Sequence, residues 1–152
     1  MENDTKELRL RKIRNGTVLN HLTAGTAMRA YQILKLPKTH QDVVSVIMNV
    51  DSKKLGKKDM LKIENIYLTE TQTATIALFA PQATVNIIEN EQVIKKFNVE
   101  LPNEITGVID CQNANCITKY ERDLQCTAIV KNKQPLQLHC QYCENQIQPQ
   151  AI

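Results

Sequence analysis

The chain has 152 residues, 42% of them hydrophobic, enough for one ordinary domain or two small ones and too short for a large enzyme fold. Its 19 basic and 16 acidic residues leave a formal charge of +3, and 4% aromatics with no Trp give few rings on which unpaired bases could stack, which argues against a dedicated nucleic-acid binder. The start, Met1-Glu2-Asn3-Asp4-Thr5-Lys6-Glu7, is too polar for a secretory signal, and the longest uncharged stretch, Thr71 to Ile88, is broken by Thr, Gln, Asn and Pro81. A soluble cytoplasmic protein with no membrane partner is therefore expected.

In chain order, Ile13 to His21 offers Ile13, Val18 and Leu19 around Gly16, a strand with an irregular start. Thr23 then stands where a helix cap belongs, before Ala24, Ala27, Met28, Tyr31 and Leu34 at three-to-four-residue spacing, and Pro37 stops that helix. Val43 to Met48 is β-branched and bounded by Asn49 and Asp51; Met60 to Tyr67 alternates well enough to be its neighbour. Thr69-Glu70-Thr71-Gln72 has capping-box spacing ahead of a short helix that reaches Ala80 and meets Pro81. Two strands follow, Thr84 to Ile88 and Gln92 to Phe97, joined at Glu89-Asn90-Glu91.

The order β-α-β-β-α-β with an extra strand fits a ferredoxin-like sheet with both helices on one face. Alternation puts Leu61, Ile63 and Tyr67 under the helices and Met60, Lys62 and Glu64 on the open face. The same reasoning places Asn86, Ile88 and Lys96 beside Lys62. Such lysines either stay solvated and keep the sheet from aggregating or converge on an anion such as a polyphosphate, with Ile88 framing a base. The chain has no Gly-rich phosphate loop, so binding without phosphate cleavage is expected.

Past Leu101-Pro102-Asn103 the composition changes, which predicts a boundary between residues 1–101 and 102–152. Residues 1–100 carry 15 basic and 11 acidic side chains, whereas residues 101–152 carry 4 and 5 and all five cysteines. Cys111-x4-Cys116 and Cys140-x2-Cys143 supply four thiolates, the donor set of a closed structural Zn²⁺ site; disulfides and an iron–sulfur cluster are the alternatives. A segment of about 50 residues can bury little apolar area by itself, which also favours metal-coupled folding. Cys126 shares an alternating face with Leu124, Ala128 and Val130 and reads as core. His139 points away from its neighbour Cys140.

Several of these motifs together resemble the regulatory chain of bacterial aspartate carbamoyltransferase, the non-catalytic partner of the enzyme that begins pyrimidine synthesis. They are Ile13 to Gly16-Thr17-Val18 with His21, Gly56-Lys57-Lys58-Asp59 leading into Leu61-Lys62-Ile63-Glu64-Asn65, Ala80-Pro81-Gln82-Ala83-Thr84-Val85-Asn86, and Cys111-x4-Cys116-Ile117 with Cys140-x-Tyr142-Cys143. The resemblance implies an α+β protein, a ferredoxin-like βαββαβ allosteric domain followed by a small all-β, rubredoxin-like zinc domain. It carries no catalytic residues.

In such a family the nucleotide site, for CTP, UTP or ATP, uses the first strand region, here Leu10, Arg11, Lys12 and Ile13 with Val18, Asn20 and His21. It also uses Lys58, Met60 and Lys62, then Asn86, Ile88, Val93 and Lys96. The resemblance gives Lys62 the base and ribose, and gives Lys96 and His21 the phosphates. Asn20 stands where an acidic residue is usual, which removes a carboxylate from any contact with nucleotide-bound Mg²⁺. Glu91 stands where an aromatic occurs and adds negative charge near the phosphates, and Gln112 replaces a Pro. The partners implied are a second regulatory chain through the allosteric domain and catalytic chains through the zinc domain, six of each, with no nucleic acid. A zinc-ribbon adaptor or nucleic-acid binder is the alternative, but its basic charge would lie in the wrong half of this chain.

Overall fold

A computed structural model describes residues 12–148. The chain runs β1 (Gly16–Thr23), α1 (Ala27–Leu34), β2 (Val44–Ser52), β3 (Gly56–Glu64), α2 (Glu70–Ala74), a 3-10 turn (Thr75–Leu78), β4 (Thr84–Glu89) and β5 (Gln92–Asn98). After the linker come β6 (Glu104–Thr106), a 3-10 turn (Ile117–Lys119), β7 (Thr127–Lys133), β8 (Leu136–Cys140) and β9 (Gln146–Ile147). Two antiparallel sheets result, in the orders β2-β3-β1-β4-β5 and β6-β7-β8-β9. The first is the split βαβ arrangement with an added edge strand, and the fold is the expected α+β class. Among the described residues no helix is long and apolar enough to cross a membrane.

Helices cover one face of the five-stranded sheet. Leu19, Leu22, Leu61, Ile63, Val85 and Ile87 meet Ala27, Ala30, Leu34, Ile76 and Ala77 in one core. At α2 the capping box is present in full: Thr69 accepts from the Gln72 N–H, and the Gln72 side chain accepts from the Thr69 N–H at 2.9 Å.

Several expectations are corrected. Thr23 ends β1, and Thr26 occupies the helix N-cap without a side-chain cap bond. The carboxylate of Asp59 serves instead, accepting from the N–H groups of Gly25 (2.9 Å) and Ala27 (3.0 Å). The buried stripe of α1 is Ala27, Ala30 and Leu34, which rotates Met28 and Tyr31 outward. Asn49 does not end β2 but sits at φ 62° inside it, at a bulge between Ile47 and Val50. The chain leaves β3 at Asn65, φ 60°, so Tyr67 is exposed rather than covered by helices. The 3-10 turn after α2 ends at Leu78, ahead of Ala80. Leu124 precedes β7 and stands outside its core, to which Cys126, Ala128 and Val130 do belong.

The other face of the sheet is less open than alternation suggests. Ile13 lies across it and forms a small cluster with Val18 and Met60, flanked by Ile47 and Ile88. Lys62 projects to this side, as expected, yet is only 6% exposed.

The second sheet builds its own core from Ile105, Ile109, Ala128, Leu138, Ile147 and four of the five cysteines, the fifth, Cys143, packing at its edge. Leu78 of the first domain is buried in it, and Phe79 and Leu101 touch both cores.

Gly16 enters β1 at φ 137°, and a Cβ there would run into the carbonyl oxygen of Ile63 on the paired strand. Both the backbone conformation and the space require glycine. Gly16→Ala is expected to destabilise the chain by roughly 3 kcal/mol, read as a lowered urea midpoint; an unchanged midpoint would contradict this placement of β1.

Candidate effector and metal sites

The register of the first sheet assembles a row of side chains. Ser45 lies opposite Lys62, Lys62 opposite Val18, Val18 opposite Asn86, and Asn86 opposite Lys96, on β2, β3, β1, β4 and β5 in turn. With strands about 4.8 Å apart, Lys62 to Lys96 spans about 14 Å, a length that suits an extended anion better than a single phosphate. Val18, Lys62, Asn86 and Lys96, distant in sequence, are thus brought together.

The two ends of the row differ. Lys62 pairs with Val18, which belongs with Ile13 and Met60 to the apolar cluster of this face, and burial pulls its ammonium pKa below the usual value. Lys96, by contrast, is one of three lysines, with Lys58 and Lys54, whose charge reaches His21. A bulge in β1, between Leu19 opposite Leu61 and Leu22 opposite Asp59, keeps both leucines in the core and frees Asn20 and His21 together. His21 takes φ 55°, and its Nδ1 lies 3.0 Å from the hydroxyl of Thr84, the partner of Asn20. Its pKa is lowered, by burial first and then by Lys58, Lys54 and Lys96.

The remaining expected residues lie at the margin. Val93 faces Ile88 and is exposed, while Asn90 and Glu91 form the two-residue β4–β5 turn at φ 50° and 66°. Their N–H groups bind the Asn15 side chain at 3.0 Å and the Arg14 carbonyl at 2.8 Å, which ties the segment carrying Ile13 to the sheet. Lys12 is exposed, and Leu10 and Arg11 lie outside the described residues. Lys54 and Thr84 were not singled out; the basic run Lys53-Lys54 and Lys57-Lys58 across the β2–β3 hairpin was the signal for the first. A separate cavity of about 640 Å³ lies at the domain junction between α2, the linker and β6, away from this row.

In the second domain four sulfurs, those of Cys111, Cys116, Cys140 and Cys143, lie within 4.8 Å of one another. Cys111 and Cys143 approach to 3.5 Å and Cys116 and Cys140 to 3.7 Å, too long for disulfides. A tetrahedron with 2.3 Å metal–sulfur bonds has edges of about 3.8 Å, so the donor set fits a dication. The thiols are unequal by themselves. Hydrogen bonds from the Asn145 backbone and Asn113 side chain bring Cys143 down to about 6, and the Thr118 hydroxyl and backbone lower Cys116. Burial pushes Cys111 up to about 12. Cys126 is outside the four-sulfur set, and His139 pairs with Ile129 while Leu138 and Cys140 turn into the core.

These features define a two-domain protein, a ferredoxin-like sheet with a cation-lined face joined to a four-cysteine metal-binding module. Residues 8–100 match the family model of the aspartate carbamoyltransferase regulatory chain, allosteric domain, and residues 103–152 match that of its metal binding domain. Among curated relatives, the aspartate carbamoyltransferase regulatory chain of Thermococcus kodakarensis is 42% identical over 147 residues, covering 97% of this chain and 96% of that one. Those of Methanothrix thermoacetophila and Pyrococcus abyssi are 45% and 44% identical over 139 and 147 residues, with 91% and 96% of this chain and 90% and 96% of theirs covered. The chain belongs to the family of aspartate carbamoyltransferase regulatory chains: it is a non-catalytic subunit with an allosteric and a metal-binding domain.

The lowered pKa of His21 has a consequence for stability. A histidine that stays neutral in the fold but protonates in the unfolded chain gives stability that is complete above about pH 6.5. That stability is lost as pH falls through 6.5 towards the lowered folded value. Urea unfolding from pH 7.5 to 5 should show this loss, and His21→Asn, which tolerates the same backbone angle, should flatten it. An identical pH profile in the variant would exclude His21 as the source.

Proposed function

We propose that the Lys62–Val18–Asn86–Lys96 row, with His21, Lys58 and the segment leading to Ile13, binds a nucleoside triphosphate, CTP, UTP or ATP. The observation that carries this reading is the polarity of the row. An apolar end with one poorly hydrated ammonium suits a base and ribose, and an end where Lys58, Lys54 and Lys96 surround His21 suits phosphates. Asn20 brings no carboxylate to a nucleotide-bound Mg²⁺. Because the site has no phosphate loop, occupancy acts by equilibrium: a nucleotide favours whichever quaternary state binds it more tightly, by that difference in affinity and no more.

In this reading residues 1–101 and 102–152 act as two units, and Cys111, Cys116, Cys140 and Cys143 hold one structural Zn²⁺ that organises the second for docking on catalytic chains. Exposed Ile117, Tyr120 and Tyr142 beside the cysteine pairs support a protein-binding surface there. Pairing of allosteric domains and an assembly of six regulatory and six catalytic chains complete the proposal.

Lys62→Met, which keeps the stem and removes the charge, and Lys96→Ala should each weaken CTP and ATP binding by about tenfold or more in calorimetry, the scale of one lost charge-assisted bond. Zinc content should be unchanged. Full affinity in both variants would move the effector site elsewhere.

Metal analysis should find one zinc per chain in the wild type and in Cys126→Ala, and none in Cys140→Ala. Chelation should abolish binding to the catalytic chain while CTP binding persists. Docking by verified zinc-free protein would refute the division of labour.

A further inference from the structure

Asp59 is completely buried, a costly place for a carboxylate unless its oxygens are satisfied. One oxygen accepts from the N–H groups of Gly25 and Ala27, at 2.9 and 3.0 Å, and the other from the N–H of Asn49 at 2.9 Å. Those donors belong to the start of α1 and to the bulge of β2. The same stretch of β3 faces both irregularities of the sheet: Met48 and Asn49 bulge opposite Asp59, and Asn20 and His21 bulge opposite Met60. Leu22, which closes the β1 bulge, is the direct partner of Asp59.

Asp59 therefore holds the chain four and six residues beyond His21, at Gly25 and at Ala27 where α1 begins, and on the other side the φ 62° turn of Asn49. Its sequence neighbours Lys58 and Met60 project to the opposite face, where the row lies. We infer that Asp59 is a positioning residue of the effector site: it never meets the ligand, but anchors the start of α1, which follows the bulge that carries His21, and the β2 bulge, which closes at Val50 opposite Lys58. This inference rests on the nucleotide reading given above.

The test uses the full chain with CTP and ATP as probes. Asp59→Asn keeps the shape but places an NH₂ against one of the backbone N–H donors. Asn49→Val, at an exposed position, leaves Asp59 in place and disfavours the positive φ that the bulge needs. Ile76→Val, buried in the helix layer, is the control for general loss of stability. Calorimetry and an NMR titration of the His21 ring are run well below each variant's melting temperature. The titration reports on position, because burial first, and then Lys58, Lys54 and Lys96, depress His21 only while it keeps its place.

Both site variants should bind each nucleotide about tenfold more weakly, with the His21 midpoint moving up towards 6.5, while Ile76→Val changes neither. If Asp59→Asn does not fold, Asn49→Val carries the same expectation. Unchanged affinity, or an unchanged His21 midpoint, in the folded site variants would overturn the inference, as would an equal affinity loss in Ile76→Val. Failure of the nucleotide reading is separately visible: the wild-type chain would then bind neither probe, and the inference would fall with it.

Discussion

Everything on the face that carries Lys62 and Lys96 depends on the register of β3. Because side chains alternate, Asp59, Leu61 and Ile63 enter the helix-covered core only if Lys58, Met60 and Lys62 go to the other side. A slip of one residue would exchange the two sets and drive two ammonium groups into an apolar layer. The buried carboxylate of Asp59 resists that slip more specifically than the leucines do, since its three N–H donors are fixed in space. The ladder of β3 against β1 and β2 then carries the register across the sheet, which brings Val18, Asn86 and Lys96 into line with Lys62.

The price of the arrangement is a lysine held almost out of water. Desolvation disfavours the Lys62 ammonium, whereas an anion brought to it is attracted through a medium less polarisable than water. The two effects are one property seen before and after binding. Lys96, at the open end, offers the same charge with less of either.

Much of this was legible in the sequence because it depends on period. Alternation set Lys62, Asn86, Ile88 and Lys96 on one face, the Thr69–Gln72 spacing gave a capping box, and two cysteine pairs gave the four-sulfur cluster. What period cannot convey is where it breaks. The bulges at Asn20-His21 and Met48-Asn49 each add one residue, and no glycine marks either; His21 and Asn49 take the positive φ themselves. For the same reason the sequence pattern points to Thr23 as the cap of α1, whose real acceptor, Asp59, comes from a strand 32 residues beyond Ala27. Nor does alternation reveal that Ile13 packs onto Val18 and Met60 on the open face, or that Lys62 there is almost fully buried.

The two domains differ in charge and cysteine content, yet they do not pack as strangers. Leu78 belongs by sequence to the allosteric domain and by burial to the core of the metal-binding one, and Phe79 and Leu101 complete a seam that touches both. The Leu78–Phe79 turn continues directly from α2, whose cap at Thr69 begins just after Leu68 donates its N–H to the buried hydroxyl of Thr17 on β1. Thr17 is itself flanked by Val18, a member of the effector row. One hydrogen bond and ten residues of chain therefore lead from Thr17, beside that row, to Leu78 in the core that holds the cysteines. A displacement at the row that reached α2 would be felt by the second core as a packing change at Leu78, and close-packed cores respond to such changes by shifting as units rather than by deforming locally. The seam makes the core of the metal-binding domain a packing partner of the first sheet, so the two domains share side chains across the boundary that their compositions mark.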